Sequence, residues 1–228
     1  MTEKTQTVGA ADRRRFLTGG MAATAAAAVA GVGLTGGTAQ AGNGGPPNLY
    51  PNWNRAQFQA IQDHEDAHVT AVVGLITNLG GTPRPKPNFK GIRQPNVTAF
   101  ATVSLALENT GVGAYAGAAP VIFSRQVLAA AASIALIEAR HAGYLNVLFN
   151  GISTDSVFGK EQTFEQPLTI DQVVNLAGPF IQDLNGGPPL TFSTTPSRNN
   201  DIAILNFALA LEYLEAEFYD VNVPIFYA

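Results

Sequence analysis

Between residues 52 and 219 apolar side chains recur in steps of three and four, the period of an α-helix with one buried face, in four separate stretches. The first predicted helix starts near Asn52 or Asn54, either of which can cap it, and ends at Asn78-Leu79-Gly80-Gly81. Its seam reads Phe58, Ile61, Glu65, His68, Val72, Leu75, Leu79. The second begins at Pro95-Asn96, follows Val97, Ala101, Ser104, Glu108, Gly111 and Tyr115, and is bent or ended by Pro120. The third runs from Ser124 to Asn150-Gly151 on Val127, Ala131, Ile134, Glu138, His141, Leu145 and Leu148. The fourth, from about Asp201 to Tyr219, carries two nearly equal seams: Ile202, Leu205, Leu209, Glu212, Ala216, Tyr219, and Ile204, Ala208, Leu211, Glu215, Phe218. The pattern predicts an all-α four-helix bundle with one domain over residues 52–228.

The connections refine this expectation. Thr82 to Pro95 is proline-rich, holds Arg84, Lys86, Lys90 and Arg93, and is long enough to run the length of a bundle as a solvated crossover; its charge would also suit an anionic surface. The short turn between the second and third helices makes them antiparallel neighbours. Residues 152–200 form a long irregular connection between the third and fourth helices, expected to pack over one end of the bundle. Within it Thr169 can cap a short helix over Asp171 to Ala177, and Gly186-Gly187-Pro188-Pro189 forces a turn. Gly111, Gly113 and Gly117 weaken the second helix and imply close helix approach or space beside Glu108.

Polar residues stand on the seams where leucines would be expected. The chain has three histidines, His64, His68 and His141, and two of them complete a Glu-x-x-His pair, Glu65 with His68 and Glu138 with His141. Positions i and i+3 share a helix face, so both members of a pair can reach one ion. Glu108 is the only charged residue between Val97 and Ser124, and the fourth helix offers Glu212 or Glu215. Unpaired charges buried there would cost several kcal/mol, roughly, or would neutralise. A cation is one compensation, and a metal-free bundle of hydrogen-bonded acids and histidines is another. In chain order the helices supply Glu-x-x-His, Glu, Glu-x-x-His and Glu, the ligand set of di-iron and di-manganese carboxylate bundles. Glu65, His68, Glu108, Glu138, His141 and Glu212 are thus candidate ligands of two iron or manganese ions. Glu108 and Glu212 would bridge or terminate the ions, and each Glu-x-x-His pair would hold one. Open positions on such ions take dioxygen, hydrogen peroxide or water. Tyr115 and Tyr219 lie on the same seams, as packing residues or as hydrogen-bonding or radical groups.

Composition adds the compartment. Arg13-Arg14-Arg15-Phe16-Leu17, an alanine-rich apolar run to Leu34, and Ala39-Gln40-Ala41 have the layout of a signal peptide over residues 1–41, cleaved after Ala41. The paired arginines resemble a twin-arginine (Tat) signal, which implies export, as a folded protein, to the periplasm or beyond. The run is too short and glycine-broken for a retained membrane anchor, and Gly42 to Pro51 reads as a flexible leader. The leading 41 residues carry four basic and two acidic residues, so the remainder has 9 basic and 15 acidic ones, a net charge of −6. That balance excludes a nucleic-acid footprint. There is no cysteine, and both methionines, Met1 and Met21, precede residue 42. Thiolate ligands and disulfides are excluded, and the mature chain offers little to oxidation.

The segments FATVSLALENTGVGAYAGAAP (100–120), AASIALIEARHAGY (131–144) and ILNFALALEYLEAEFY (204–219) resemble secreted ferritin-like proteins related to plant desiccation-related proteins. The resemblance implies a ferritin-like bundle and a metal-binding or stress-related role without a settled substrate. The fourth helix is similar to the first ferritin helix, with Asn206 six residues before Glu212 and Tyr219 seven after, which favours Glu212 over Glu215. In that family this helix comes first, so the chain looks circularly permuted.

Two rival functions remain open. His64-Glu65-Asp66-Ala67-His68 matches the H-E-x-x-H pattern of zinc peptidases, but no strand pattern precedes it and the second Glu-x-x-His is left unexplained. The other rival is a secreted stress protein using the bundle as scaffold, with or without metal. The preferred expectation is a di-metal site that oxidises Fe(II) or consumes peroxide, a ferroxidase or manganese-catalase-like oxidoreductase. Assembly as a homo-oligomer stays open.

Overall fold

The computed structural model describes residues 5–7 and 51–228. Apart from Thr5–Thr7, the expected signal peptide lies outside the described residues, as does nearly all of the 42–51 leader. The elements are β1 (Thr5–Thr7), α1 (Trp53–Asn78), β2 (Asn88–Phe89), α2 (Val97–Ala118), α3 (Arg125–Leu148), α4 (Ile170–Ala177), β3 (Ile181–Asp183), β4 (Thr191–Ser193) and α5 (Arg198–Tyr227). Short 3-10 turns follow α2 at Ala119–Val121 and α4 at Gly178–Phe180.

Side-chain caps set most helix starts. Asn96, Ser124 and Ser197 accept from the backbone N–H three residues on, and Thr169 with Gln172 forms a capping box. At α1 the expected cap does not form: Asn52 sits in left-handed geometry with no side-chain bond, and Asn54 is buried, accepting from Tyr144 Oη at 3.0 Å. The end of α1 is a Schellman turn, with Gly80 at φ 72° and Gly81 N bonded to Ile76 O at 2.9 Å.

The long helices α1, α2, α3 and α5 make the bundle. α5 packs antiparallel on α1: Gln62 meets Asp220 near one end and Gly81 meets Ile202 near the other. α2 pairs antiparallel with α3, Glu108 reaching His141 while Gly111 faces Glu138. Between these pairs the connector runs along α5, held by two asparagines. Asn206 accepts from Arg84 N at 2.7 Å, and Asn222 accepts from Gln94 N at 2.9 Å. Sixteen helical residues span about 24 Å, within the ~33 Å reach of ten extended ones. The connector is less solvated than expected, since Arg84 is buried and Lys86 is paired with Glu217 at 2.5 Å. Asp201 Oδ1 and Oδ2, in the first turn of α5, accept from Phe123 N and Ser124 N at 2.8 Å each, tying α5 to the α2–α3 turn.

Several expectations are corrected. On α1 the buried residue after Val72 is Ile76, with Leu75 and Leu79 half-buried. Eighteen residues are five turns of 3.6, which returns Ile76 to the face of Phe58. α5 continues to Tyr227, with Pro224 inside its last turn. Residues 152–200 do not cap one end of the bundle. They run back along the outer side of α2, where Leu168 N donates to Gly113 O at 2.9 Å. A Cβ on Gly117 would lie 2.1 Å from Leu168 O, so Gly113 and Gly117 serve this strap rather than a helix–helix contact. With the strap on one side and the bundle on the other, α2 is buried almost all round from Val103 to Gly113. The segment also holds strands that carry no periodicity: β3 pairs antiparallel with β2, and β4 with β1.

Apolar side chains form two clusters. One gathers Phe58, Phe100, Leu145, Phe218 and Tyr219, and the other Val72, Ile76, Ile134, Leu205 and Leu209. Glu65 and His68 on α1, and Glu138 and His141 on α3, fall between these clusters along their helices.

Candidate metal centre

Each long helix delivers its seam acid to the gap between the two apolar layers. Glu65, Glu108 and Glu138 are fully buried, and Glu212, His68 and His141 nearly so. The Nδ1 of each imidazole faces the carboxylates. His68 Nδ1 lies 3.2 Å from Glu65 Oε2, 3.0 Å from Glu138 Oε1 and 3.4 Å from Glu212 Oε2. His141 Nδ1 lies 3.1 Å from Glu65 Oε1 and 3.0 Å from Glu108 Oε2.

Two four-residue groups have donor atoms within 4.8 Å of one another: Glu65, His68, Glu138 and Glu212, and Glu65, Glu108, Glu138 and His141. All six sequence candidates are therefore brought together, each ion position having one imidazole. Glu65 and Glu138 belong to both groups, whereas Glu108 and Glu212 each belong to one. The positions shared by both groups thus fall on the glutamates of the two Glu-x-x-His pairs rather than on the solitary acids.

Four buried oxygens, Glu65 Oε1, both of Glu138 and Glu212 Oε2, have no aligned hydrogen-bond partner. Although Glu65 Oε1, Glu138 Oε1 and Glu212 Oε2 are near imidazole nitrogens, those contacts lack hydrogen-bond alignment. Buried carboxylate oxygens in this condition carry a large desolvation cost, and a cation among them would offset it. The donor set of carboxylates with one imidazole per position suits iron or manganese.

The electrostatics point the same way. Burial, reinforced by the neighbouring acids, pushes the Glu138 carboxyl well above its usual range, and Glu215 likewise. Glu212 is also raised, by burial first. Burial would raise Glu65 too, but the imidazoles of His141 and His68 beside it outweigh that and hold this acid below its usual value. Burial would lower the imidazoles, yet Glu212 and Glu65 push His68 up to about 9, and Glu108 and Glu65 push His141 up to about 10. Without metal the chain compensates its acids with protons, and divalent cations would release them.

Around this shell stand residues that the helical pattern placed but gave no role. Tyr219 Oη donates to Glu108 Oε1 at 2.5 Å, and Tyr115 Oη donates to Glu212 Oε1, so each tyrosine fixes the solitary acid of the facing helix. His64 Nδ1 lies 2.9 Å from His141 Nε2 with the rings stacked. Burial and the two neighbouring imidazoles lower the His64 pKa. It stays neutral and accepts the His141 Nε2 proton, leaving Nδ1 of His141 directed at the carboxylates. His64 is in neither donor group, and Glu65 is in both, which is the opposite of what an H-E-x-x-H zinc site requires. Glu215 is buried as well as Glu212, because α5 faces α1 on one side and α2 on the other. It lies outside both donor groups. Gly111 leaves room at this point, since a Cβ there would sit 2.7 Å from Glu138 Oε2 and 3.5 Å from Glu215 Oε1.

A family model described as ferritin-like domain matches residues 13–151 and 200–225, more than half of the chain. The chain therefore belongs to the ferritin-like domain family. The intervening residues, 152–199, are those of the strap along α2. No curated protein and no solved structure matches the chain.

Proposed function

We propose that this ferritin-like chain holds two ions of iron or manganese in its carboxylate and imidazole cluster and uses them on dioxygen or hydrogen peroxide. The observation that carries this reading is the pair of overlapping donor groups, within which four buried carboxylate oxygens have no aligned hydrogen bond. Glu65 and Glu138 would serve both ions, Glu212 with His68 would hold one, and Glu108 with His141 the other. Bound iron or manganese would supply the redox chemistry, either Fe(II) oxidation by dioxygen or disproportionation of two peroxides to two waters and one dioxygen.

The chain's own part is positioning and exclusion. Tyr219 and Tyr115 hold the terminal carboxylates by their hydroxyl protons, and His64 holds the ring of His141. Apolar layers above and below keep bulk water out, which strengthens every charge interaction inside. Among the described residues no helix is long and apolar enough to cross a membrane.

The wider setting belongs to the same proposal. We infer export from the twin-arginine type leader, and a role in stress protection from the resemblance of the sequence to desiccation-related proteins. We read the helix order as a circular permutation. Support comes from the stacking of Tyr227, at the end of α5, on Phe58 of α1 at 5.0 Å, which brings the two chain ends of the bundle together.

Metal analysis of protein purified from its own host, with anomalous scattering at the iron and manganese edges, tests the proposal. Close to two iron or manganese ions per chain are expected, with peroxide or dioxygen turnover, and both are lost in Glu65→Ala. A metal-free native protein would leave the scaffold function, and one zinc with peptide cleavage abolished by Glu65→Gln would establish the peptidase.

A further inference from the structure

The second seam of α5, Ile204, Ala208, Leu211 and Glu215, has no part in the ion positions. It faces a cleft beside α2 that contains two cavities. The inner one, about 40 Å³, is walled by Gly111, Ala114, Tyr115, Ala208, Glu212 and Glu215 among others. The outer one, about 370 Å³, lies between α2, α4, β4 and the start of α5, with Leu168, Val173 and Phe192 in its walls. Ala114, Ala118, Ile204 and Phe207 line both, so the cavities share these side chains as their partition. Small residues on α2, Gly111, Ala114 and Ala118, recur in helical steps and keep the cleft open along that face. At its inner end stands Glu215, 4 % exposed and with no hydrogen bond among the described residues. Gly111 faces both acids, since a Cβ there would lie 3.5 Å from Glu215 Oε1 and 2.7 Å from Glu138 Oε2.

We propose that the two cavities form one passage admitting a small uncharged oxidant, of the dioxygen and hydrogen peroxide class, from the outer side of α2 to the carboxylate cluster, with Glu215 as the polar group met at its inner end. The proposal rests on the di-metal reading above. The wall chemistry selects the class. An apolar passage carries a penalty for ions, so metal ions enter elsewhere. An inner volume of about 40 Å³ excludes all but the smallest molecules. The residues common to both cavities, Ala114, Ala118, Ile204 and Phe207, are all apolar, whereas Thr169, Asp171, Ser193, Thr194 and Asn200 line the outer cavity alone and Glu212 and Glu215 the inner one alone.

Xenon probes the passage without requiring turnover, since dry apolar cavities bind it. Crystals of the full-length protein pressurised with xenon are expected to show it in both cavities. Xenon confined to the outer cavity, or absent from both, overturns the proposal. Kinetics provide the second test, on protein loaded with iron or manganese. Ile204→Phe and Ala118→Leu thicken the partition, and Ile204→Ala thins it. The thickened variants are expected to keep the anaerobic metal stoichiometry and to lose several-fold in the initial rate with dioxygen or peroxide, while Ile204→Ala keeps or exceeds the parent rate. Unchanged rates in both thickened variants at full metal content overturn the proposal. If the loaded parent protein turns over neither oxidant, the di-metal oxidase reading fails. Xenon in both cavities then still supports the passage, and its absence from the inner one removes it too.

Discussion

Gly111→Ala separates the stability of the fold from the integrity of the metal centre. A Cβ built at Gly111 lies 2.7 Å from Glu138 Oε2, where ordinary contact begins at 3.4 Å. The oxygen must therefore retreat by roughly 0.7 Å, since the repulsive wall is steep inside that distance. For the fold this is inexpensive, because the displaced atom is the tip of a flexible side chain. An off-rotamer glutamate costs about 0.5–1.5 kcal/mol, and alanine in a helix interior returns about 0.5–1 kcal/mol relative to glycine. These nearly cancel, so the metal-free melting temperature should stay within about 2–4 °C, the shift that 1 kcal/mol gives a domain of this size. For the ions the displacement is large, because metal–ligand distances are held to about 0.2 Å. We expect affinity to drop about 10–100-fold, the usual cost of disturbing a ligand's support, or ~1.4–2.8 kcal/mol. Thermal unfolding in chelator and anaerobic calorimetric titration with Mn(II) measure the two quantities. Unchanged affinity at an unchanged melting temperature would refute the placement of Glu138 Oε2 as an ion donor.

The protonation pattern gives the metal-free protein a distinctive pH response. The His68 and His141 values of about 9 and 10 lie above the ordinary 6.5. Their stabilisation is complete below pH 6.5 and is lost as pH rises through 9 to 10, and the raised Glu138 and Glu215 act in the same direction from pH 4.5 upward. The chelated protein should melt progressively lower from pH 6.5 to 10; a melting temperature that rises over this range refutes the assignment. His64→Ala should weaken metal binding by up to about tenfold with the helical circular dichroism retained, and His64→Asn should recover part of it; equal affinities in all three proteins would show that His64 orients nothing. A permuted gene joining Ala228 to Asn52 through a short linker and opened within residues 152–199 should yield a folded, metal-binding bundle, checked by circular dichroism and metal stoichiometry, and an insoluble product at every linker length would count against permutation.

How much of this was legible depended on how many sides of a helix are buried. All seven seam residues predicted for α3 are buried, because only one side of this helix packs on the bundle, although Leu128, Leu136 and Val147 on its other side are apolar and exposed. α2 and α5 are covered on more than one side, so a single seam understates them. Both Glu212 and Glu215 are buried for that reason, and the sequence alone had to leave the choice open. The strap over α2 was misplaced because backbone contacts hold it, such as Leu168 N to Gly113 O, and these leave no periodic trace. Glu65, His68, Glu138 and His141 were legible from i, i+3 spacing on apolar seams, and Glu108 as a solitary acid on one, whereas Glu212 was preferred to Glu215 only through the family resemblance. Spacing fixes a face but not which acid is shared, so the membership of Glu65 and Glu138 in both donor groups emerged only from the geometry. The His64–His141 contact depends on the register between α1 and α3, which neither helix encodes alone.

That shared pair exposes a symmetry in how the site is divided. Glu108 and Tyr115 on α2 are seven residues apart, as are Glu212 and Tyr219 on α5, and the tyrosines are exchanged, each holding the other helix's glutamate. One donor group draws Glu212, Glu65 and His68 from the α5–α1 pair and Glu138 from the other pair. The second draws Glu108, Glu138 and His141 from the α2–α3 pair and Glu65 from the first. Each helix pair thus offers three donors to one position and a single bridging carboxylate to the other, and neither pair completes a position alone. Cations seated there would join the halves at the level where the apolar layers are interrupted by charge. The order of the helices along the chain is immaterial to such a site. It requires only that the two antiparallel pairs face one another, which the packing of α1 on α5 and of α2 on α3 provides whichever connection is covalent.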